Sequence, residues 1–429
     1  MVLLKHEKVV IVGAGCFGIS TAYHLLQRGY TDVTVLDRST VLPAPDAASN
    51  DLNRVVRSSY DDAFYARLAR EAILSWKDRK AWGDTYHESG VVVLGDSGPG
   101  KETYADKSLQ NDIAMGATVK VLKDSNAIRS LFPPQVNTGS FENCAGYLNS
   151  DGGWANAGQG LAIMIGKVRD LSGKVVPGKS VVKILREEDG LTGVECSDGT
   201  VVEASLVIIA SGSWTPSLFP ELGLESMCLA TGQCVAMIQL SDSEADVYRD
   251  CPVVVDFSSG FYIFPPNAGN VVKMAFHSAG FTHFDETNGT ISTPRTLTSN
   301  PTDGLLIPRD SLQDMRTYLG KIYPDLTRKP FSATRLCWYN DSPDGNWVIG
   351  RHPKNQNIII ATGGSGHAYK FLPVIGSLVA DVVADELKAE LVAKFALDRV
   401  ISQVDASRSG AAKKLDINTF YSIEDLQPR

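Results

Sequence analysis

The run KVVIVGAGCFGIS near the amino end constrains this chain more than any other stretch. Val9 to Val12 is an unbroken apolar strand of the kind buried on both faces of a parallel sheet. Gly13-Ala14-Gly15-Cys16-Phe17-Gly18 follows, then CFGISTAYHLLQRG, whose apolar residues recur at helical spacing up to Gly29. A second strand, DVTVLD, ends at Asp37. Each glycine has a job: Gly13 for the tight turn, Gly15 for close approach of a pyrophosphate, Gly18 for helix–strand packing. The helix start offers free N–H groups and a positive dipole end to phosphates, and Asp37 is placed to accept from ribose hydroxyls. The order strand, turn, helix, strand, acid predicts a dinucleotide site, without choosing between NAD and FAD.

The 429 residues suggest two domains or one large α/β body with an inserted lobe. The net charge of -8 argues against nucleic acid or an anionic membrane as a partner, while leaving room for a local basic pocket. No apolar run approaches the roughly 18 residues of a membrane helix, and the amino end runs straight into a strand rather than a secretory leader. The seven cysteines are odd in number, dispersed and free of CxxC pairs, which points to free thiols rather than disulfides or zinc.

Further along, STVLPAPDAASNDLNRVVRSSYDD reads as an irregular loop and ARLAREAILSWKDRKAW as a helix. The stretch SVVKILREEDGLTGVECSDGTVVEASLVIIASGSW reads as a β-meander and a buried strand ending at Ser211-Gly212. Residues 226–325 are strand-rich. NIIIATGGSGHAYKFLPVIGSLVADVVADEL is a strand, a glycine loop and a helix, with Pro373 expected in the helix's first turn. A second glycine loop near the carboxyl end shifts the expectation to FAD, because flavoproteins often close around their long cofactor with one. The expected fold class is α/β. A discontinuous FAD-binding Rossmann-type domain (1–90, 145–225 and 326–390) carries an inserted β-rich substrate lobe (91–144 and 226–325), and a tail from 391 to 429 packs on the body.

Four blocks, VGAGCFGISTAYHL, NDLNRVVRSSY, VVKMAFH, and CWYNDSPDGNWVIGRHP joined to GGSGHAYKFLPVIG, carry a resemblance from about Val9 to Leu387. The chain resembles the sarcosine oxidase group of FAD-dependent amine oxidases. It is most similar to the eukaryotic branch of fructosyl amino acid oxidases (amadoriases), L-pipecolate oxidases and L-saccharopine oxidases. The resemblance implies that Cys337 is bonded through sulfur to the flavin 8α-carbon. A thiolate suits that electron-poor position, and Arg335 nearby is expected to favour the anion. It implies that Lys273 activates O2 from one flavin face, where a fixed cation stabilises developing superoxide. His277 and Tyr339 match active-site positions, Arg57 and Lys370 a carboxylate clamp, and Tyr262 a pocket wall. Gly13, Gly15, Gly18, Asp37, Arg38, Arg54, Val182, Gly212, Gly364, Gly366 and Lys370 are the further expected cofactor contacts.

The chain also departs from its relatives. Fructosyl amino acid oxidases resemble NDVNK where this chain has NDLNR, so Arg54 replaces a lysine. They carry an acidic residue after the oxygen-activating strand, where this chain reads HSAGFTHF. The expectation is therefore an oxidase of a carboxylate-bearing secondary amine, saccharopine- or pipecolate-like, yielding an imine and H2O2. A fructosyl amino acid oxidase is the alternative; an NAD-dependent dehydrogenase or a non-catalytic flavin-binding protein would be a different class. The expected state is a monomer in the cytoplasm, without nucleic-acid or membrane partner. The end DLQPR lacks a peroxisomal tripeptide of the S-K-L kind, although the family allows that compartment.

Overall fold

The computed structural model describes residues 3–96, 102–187, 190–284, 289–408 and 410–428. A six-stranded sheet runs in the order Val348–His352, Asn355–Thr362, Leu206–Ile209, Val9–Val12, Val33–Leu36, Lys174–Val176. All its pairings are parallel except the first, which is antiparallel. The Val9–Val12 strand is central, and both of its faces are covered. Val9 and Ile11 enter the core under the helices, while Val10 and Val12 enter the core on the other face. That explains why its sequence is apolar without alternation.

The glycine turn is as tight as expected. Gly13 has φ +107, and a Cβ on Gly18 would lie 1.9 Å from the Gly13 carbonyl oxygen. The Cys16–Gln27 helix packs on Ile375–Val383 at Gly376, where a Cβ would come within 2.2 Å of the Ser20 carbonyl. The Ser20 hydroxyl donates to the Leu372 carbonyl and accepts from the Gly376 N–H. This helix pair brings the second glycine loop beside the first.

The other large sheet has ten strands. Leu229–Gln239 is its axis, pairing with Val271–Phe276, Phe281–Thr282 and Ala333–Asp341. Its two faces differ. Val272 and Met274 pack with Leu336 and Trp338 in a core beneath the Arg309–Ile322 helix. The opposite face, with Tyr262, Ala275, Cys337 and Tyr339, turns toward the nucleotide-binding body. Lys273 shares this face by strand alternation. A three-stranded ribbon of Arg54–Val56, Gly153–Ala155 and Tyr86–His87 lies between the two bodies.

Several expectations are corrected. Cys144–Asn149 and Ala333–Asp341 belong to the ten-stranded sheet, so boundaries at 145 and 326 cut through the lobe rather than around it. The expected single helix after residue 62 is two, Ala63–Trp76 and Arg79–Trp82; the Asp78 side chain caps the second by accepting from Lys80 and Ala81 N–H groups. Pro373 precedes the last expected helix, which begins at Ile375. In the tail, Lys413–Lys414 pairs with Phe281–Thr282, and Phe420, Tyr421 and Leu426 pack against the lobe's core.

Candidate active site

A cavity of about 530 Å³ runs along the carboxyl ends of the parallel strands. Gly13, Gly15, Asp37, Arg38, Gly212, Gly364 and Gly366 line it. Gly212 has φ +58, and a Cβ there would meet no protein atom, so the backbone is bare toward the cavity. The Asp37 carboxylate accepts from the Ala14 and Ser39 N–H groups, at 2.8 Å each. At one end the Arg38 guanidinium lies 3.9 Å over the Trp214 ring, a flat face beside Val181. Val182 does not take that place: its side chain is turned out to solvent, and alternation along the strand puts Val181 inside instead. At the other end stand Trp338, Tyr339 and Asn340. The elongated cavity, bare glycine cradle and carboxylate at the second strand fit an FAD-sized dinucleotide.

Cys337 is buried one residue away from that lining, on the inward face of its strand. Arg54 Nη2 lies 3.0 Å from its sulfur and 3.0 Å from Asp51 Oδ2. Arg54 itself lines the cavity. Arg335 does not supply the expected charge at the thiol; its guanidinium is spent on the carbonyls of Asn50 and Ala47. Burial works against the Arg54 charge, but Cys337 and Asp51 more than compensate and hold its pKa well above the usual range.

Lys273 is fully buried, with Nζ 2.8 Å from Asp51 Oδ2 and 2.7 Å from the Asn53 carbonyl. Burial lowers its pKa to about 8, against the opposing pull of Asp51. Burial would raise the Asp51 carboxyl, and the charges of Lys273, Arg54 and Arg335 reverse this and drive it below the usual range. Lys273 thus stands behind Asp51 and Arg54, one layer back from the lining.

A second, smaller cavity of about 70 Å³ shares Arg54, Tyr339, Gly366 and Tyr369 with the first. Its walls include Arg57, Tyr262 and Lys370, expected as substrate contacts, together with His277, expected as catalytic. A Cβ on Gly366 would come within 2.2 Å of the Tyr339 ring, so only glycine leaves that ring its place. Arg57 bonds the Ser59 carbonyl and lies against the Tyr60 and Phe257 rings. Lys370 Nζ is 2.7 Å from the Tyr60 hydroxyl and 2.9 Å from the His367 carbonyl. Among the described residues neither cation has a carboxylate within ion-pair distance. Burial first, and then Arg57, push the Lys370 pKa well below its usual value. His277 is likewise pushed down, by burial and then Arg408. Burial and Lys370 lower His367 to about 3.

Sequence reasoning missed Phe257 and His367, which line this cavity, and Tyr60, which packs behind it against Arg57 and Lys370. His367 bridges the Tyr60 hydroxyl (3.1 Å) and the Gly345 carbonyl (2.9 Å). Its position inside GSGHAYK, between a glycine turn and a clamp lysine, was the available signal.

Bare backbone for a pyrophosphate beside a pocket of charged and aromatic side chains defines a dinucleotide-dependent oxidoreductase. Residues 8–382 match the DAO family, described as FAD dependent oxidoreductase, and the chain belongs to that family. FAD, not NAD, is therefore its cofactor. The chain is 30% identical over 404 residues to the L-saccharopine oxidase of Schizosaccharomyces pombe, covering 89% of this chain and 91% of that one. It is 25% identical over 386 residues to the human peroxisomal sarcosine oxidase, covering 87% and 91%. The structure of fructosyl peptide oxidase from E. terrenum matches with a TM-score of 0.85 at 28% identity, over 96% of this chain and 97% of that one. Among the described residues no helix is long and apolar enough to cross a membrane.

Proposed function

We propose that the protein is an oxidase of a small amino acid whose nitrogen is a secondary amine. The observation that carries this reading is the pair Arg57 and Lys370, two buried basic side chains without an ion-paired carboxylate among the described residues, facing one cavity beside the FAD cavity. Such a pair is costly until an anion joins it. A substrate carboxylate supplies that anion, and its charge favours the protonated form of Lys370 that burial and Arg57 disfavour. His277 and His367 are held neutral, so they add no further repulsion to a bound amine and leave acceptor nitrogens near it.

Gly13, Gly15, Asp37, Gly212 and Gly364 would hold FAD, which would supply the two-electron oxidation at the carbon next to nitrogen, with O2 as final acceptor and H2O2 as product. Arg57 and Lys370 fix the acid, Tyr262 and Tyr339 wall the cavity, and Lys273 supplies the cation for the oxygen step. The imine left behind hydrolyses in water.

The same reading makes Cys337 the covalent tether, supported by Arg54, which touches its sulfur and lines the FAD cavity at once. Acid precipitation should leave flavin in the protein pellet, and intact mass should exceed the polypeptide's. All flavin in the supernatant would remove the tether from the reading.

Turnover of pipecolate, sarcosine, saccharopine and fructosyl-lysine, followed by peroxide, tests the substrate. No peroxide from any of them, with FAD bound, would overturn the proposal. A fructosyl amino acid oxidase remains the second reading because of the 0.85 TM-score to fructosyl peptide oxidase; peroxide from fructosyl-lysine alone would select it.

A further inference from the structure

The polar segment after Phe395 carries no motif, yet it reaches the substrate cavity. Ser407 Oγ lies 3.0 Å from His277 Nε2 and 2.6 Å from Asp405 Oδ1. Asp405 Oδ1 also accepts from the Ser407 N–H at 2.9 Å. The segment is pinned on both sides. Arg408 Nη1 is 2.8 Å from Asp341 Oδ2, and its Nε is 2.9 Å from Asp405 Oδ2. The Arg408 and Asp341 side chains are both largely shielded from solvent, and the Asp405 N–H donates to the Pro343 carbonyl.

These contacts fix proton positions. Asp405 is ionised: burial opposes its charge, but Arg408 and the Ser407 bonds bring its pKa to about 2. A carboxylate only accepts, so the Ser407 hydroxyl proton points at Asp405. The Ser407 oxygen is then left to accept from His277 Nε2–H. Neutral imidazole carries one N–H, so Nδ1 is the acceptor. Among the described residues no protein group hydrogen-bonds Nδ1. The groups whose charge bears on His277 are Arg408, Asp405, Arg57 and His367, with the Tyr339 ring 6.1 Å from its own.

We propose that Ser407, backed by Asp405, is a positioning residue that holds His277 as its Nε2–H tautomer, so that Nδ1 accepts a hydrogen bond from the N–H of the bound amine. The proposal rests on the amine-oxidase reading above and adds the carboxyl-terminal segment to that site.

The test uses full-length holoenzyme, as wild type, Ser407→Ala, Ser407→Thr and Asp405→Asn. Histidine-labelled protein gives the ring nitrogens by two-bond proton–nitrogen correlation, with the His277 signals identified by their loss in His277→Asn. Wild type and Ser407→Thr should show unprotonated Nδ1 and protonated Nε2; Ser407→Ala and Asp405→Asn should show both tautomers in exchange. Anaerobic flavin reduction by the best acid should slow about tenfold in Ser407→Ala, the loss of one oriented hydrogen bond. Ser407→Thr should restore it, and reoxidation by O2 should not change. An Nδ1–H tautomer in the wild type, or a Ser407→Ala enzyme with wild-type spectrum and reduction rate, overturns the proposal. So does a fall in both half-reactions together with melting temperature that threonine fails to restore, since that is a purely structural role. If wild type oxidises none of the acids, the amine-oxidase reading fails, and the tautomer measurement still decides whether Ser407 orients His277.

Discussion

The two cavities meet at Arg54, Tyr339, Gly366 and Tyr369, but they are built by different means. The FAD cavity takes part of its wall from backbone and small residues, Gly13, Gly15, Ala47, Ala48, Ala210 and Gly212, with larger side chains such as Arg38, Trp214 and Trp338 toward its ends. The substrate cavity is walled by side chains: Arg57, Tyr262, His277, His367 and Lys370. A wall of backbone tolerates almost no added atom, because the main chain cannot swing aside. A wall of side chains tolerates changes of shape but depends on which charges it presents. Substitutions in the first should therefore decide whether a holoenzyme exists, and in the second which molecule it oxidises.

Gly18→Ala gives the largest expected effect. Its Cβ would lie 1.9 Å from the Gly13 carbonyl oxygen and 3.2 Å from the Ile11 side chain, so helix and strand must separate. Overpacking costs about 1–3 kcal/mol where a core can adjust, and here the opposing atom is backbone. Flavin absorbance per polypeptide should fall nearly to zero. A Gly18→Ala protein with a full complement of FAD would break the contrast at its strongest point.

The clamp comes next. Arg57→Ala and Lys370→Ala should each cost the acid about 2–5 kcal/mol in kcat/KM, the range for removing one partner of a buried charge pair. FAD content should be unchanged. The matching decarboxylated amine should be a poor substrate of the wild type and lose little more in either variant. Equal turnover of amine and acid by the wild type would remove the clamp.

The same contrast decides what could be read from the sequence. The dinucleotide cavity follows from contiguous patterns, VGAGCFG with Asp37 downstream and ATGGSG near the other end, because its contacts are made by backbone at fixed offsets. The misplacement of Val182 is a single step of strand alternation. The substrate cavity gathers side chains from residues 54–57, 255–262, 277, 339 and 366–370, which share no local periodicity. Only the resemblance brought Arg57 and Lys370 together, and it gave no role to Tyr60 or His367. The lobe boundaries failed for a related reason. Ala333–Asp341 joins the large sheet by pairing with Leu229–Gln239, about a hundred residues away, and long-range pairing leaves no mark on either strand's own sequence. For the same reason Arg335, near Cys337 in sequence and on the same face, was a natural but wrong partner for the thiol. The guanidinium that reaches it comes from Arg54, on the three-stranded ribbon.

Lys273 lies one layer behind Arg54, which both cavities share, and pH sharpens its place. Lys273→Met should slow reoxidation of the reduced enzyme by O2 about 10²–10³-fold, the effect of removing one oriented charge from an anionic transition state. Reduction by substrate should change much less. The pKa of Lys273 is lowered, so the ammonium is present below about 8 and lost as pH rises through that value. Wild-type reoxidation should therefore fall above about pH 8, and the Lys273→Met rate should be flat there. A variant that retains the same pH profile would move the oxygen step to another cation.

The smallest expected effect lies at the far end of the FAD cavity, where Arg38 is stacked on Trp214. This contact belongs to the side-chain part of the nucleotide wall, as Trp338 and Asn340 do at the other end. Arg38 is partly exposed and also lies 3.7 Å from Asp46, so solvent screens its charge and its ring contact is a modest one. Measurement needs a background in which FAD can exchange, which Cys337→Ser provides. In that background Arg38→Ala should weaken FAD by about 0.5–1 kcal/mol, a factor of two to five, read by equilibrium titration of apoprotein. Arg57→Ala in the same background should leave FAD affinity unchanged. If Arg38→Ala abolished FAD binding, side chains rather than the glycine backbone would be holding the nucleotide, and the division between the two cavities would fail where it is most easily measured.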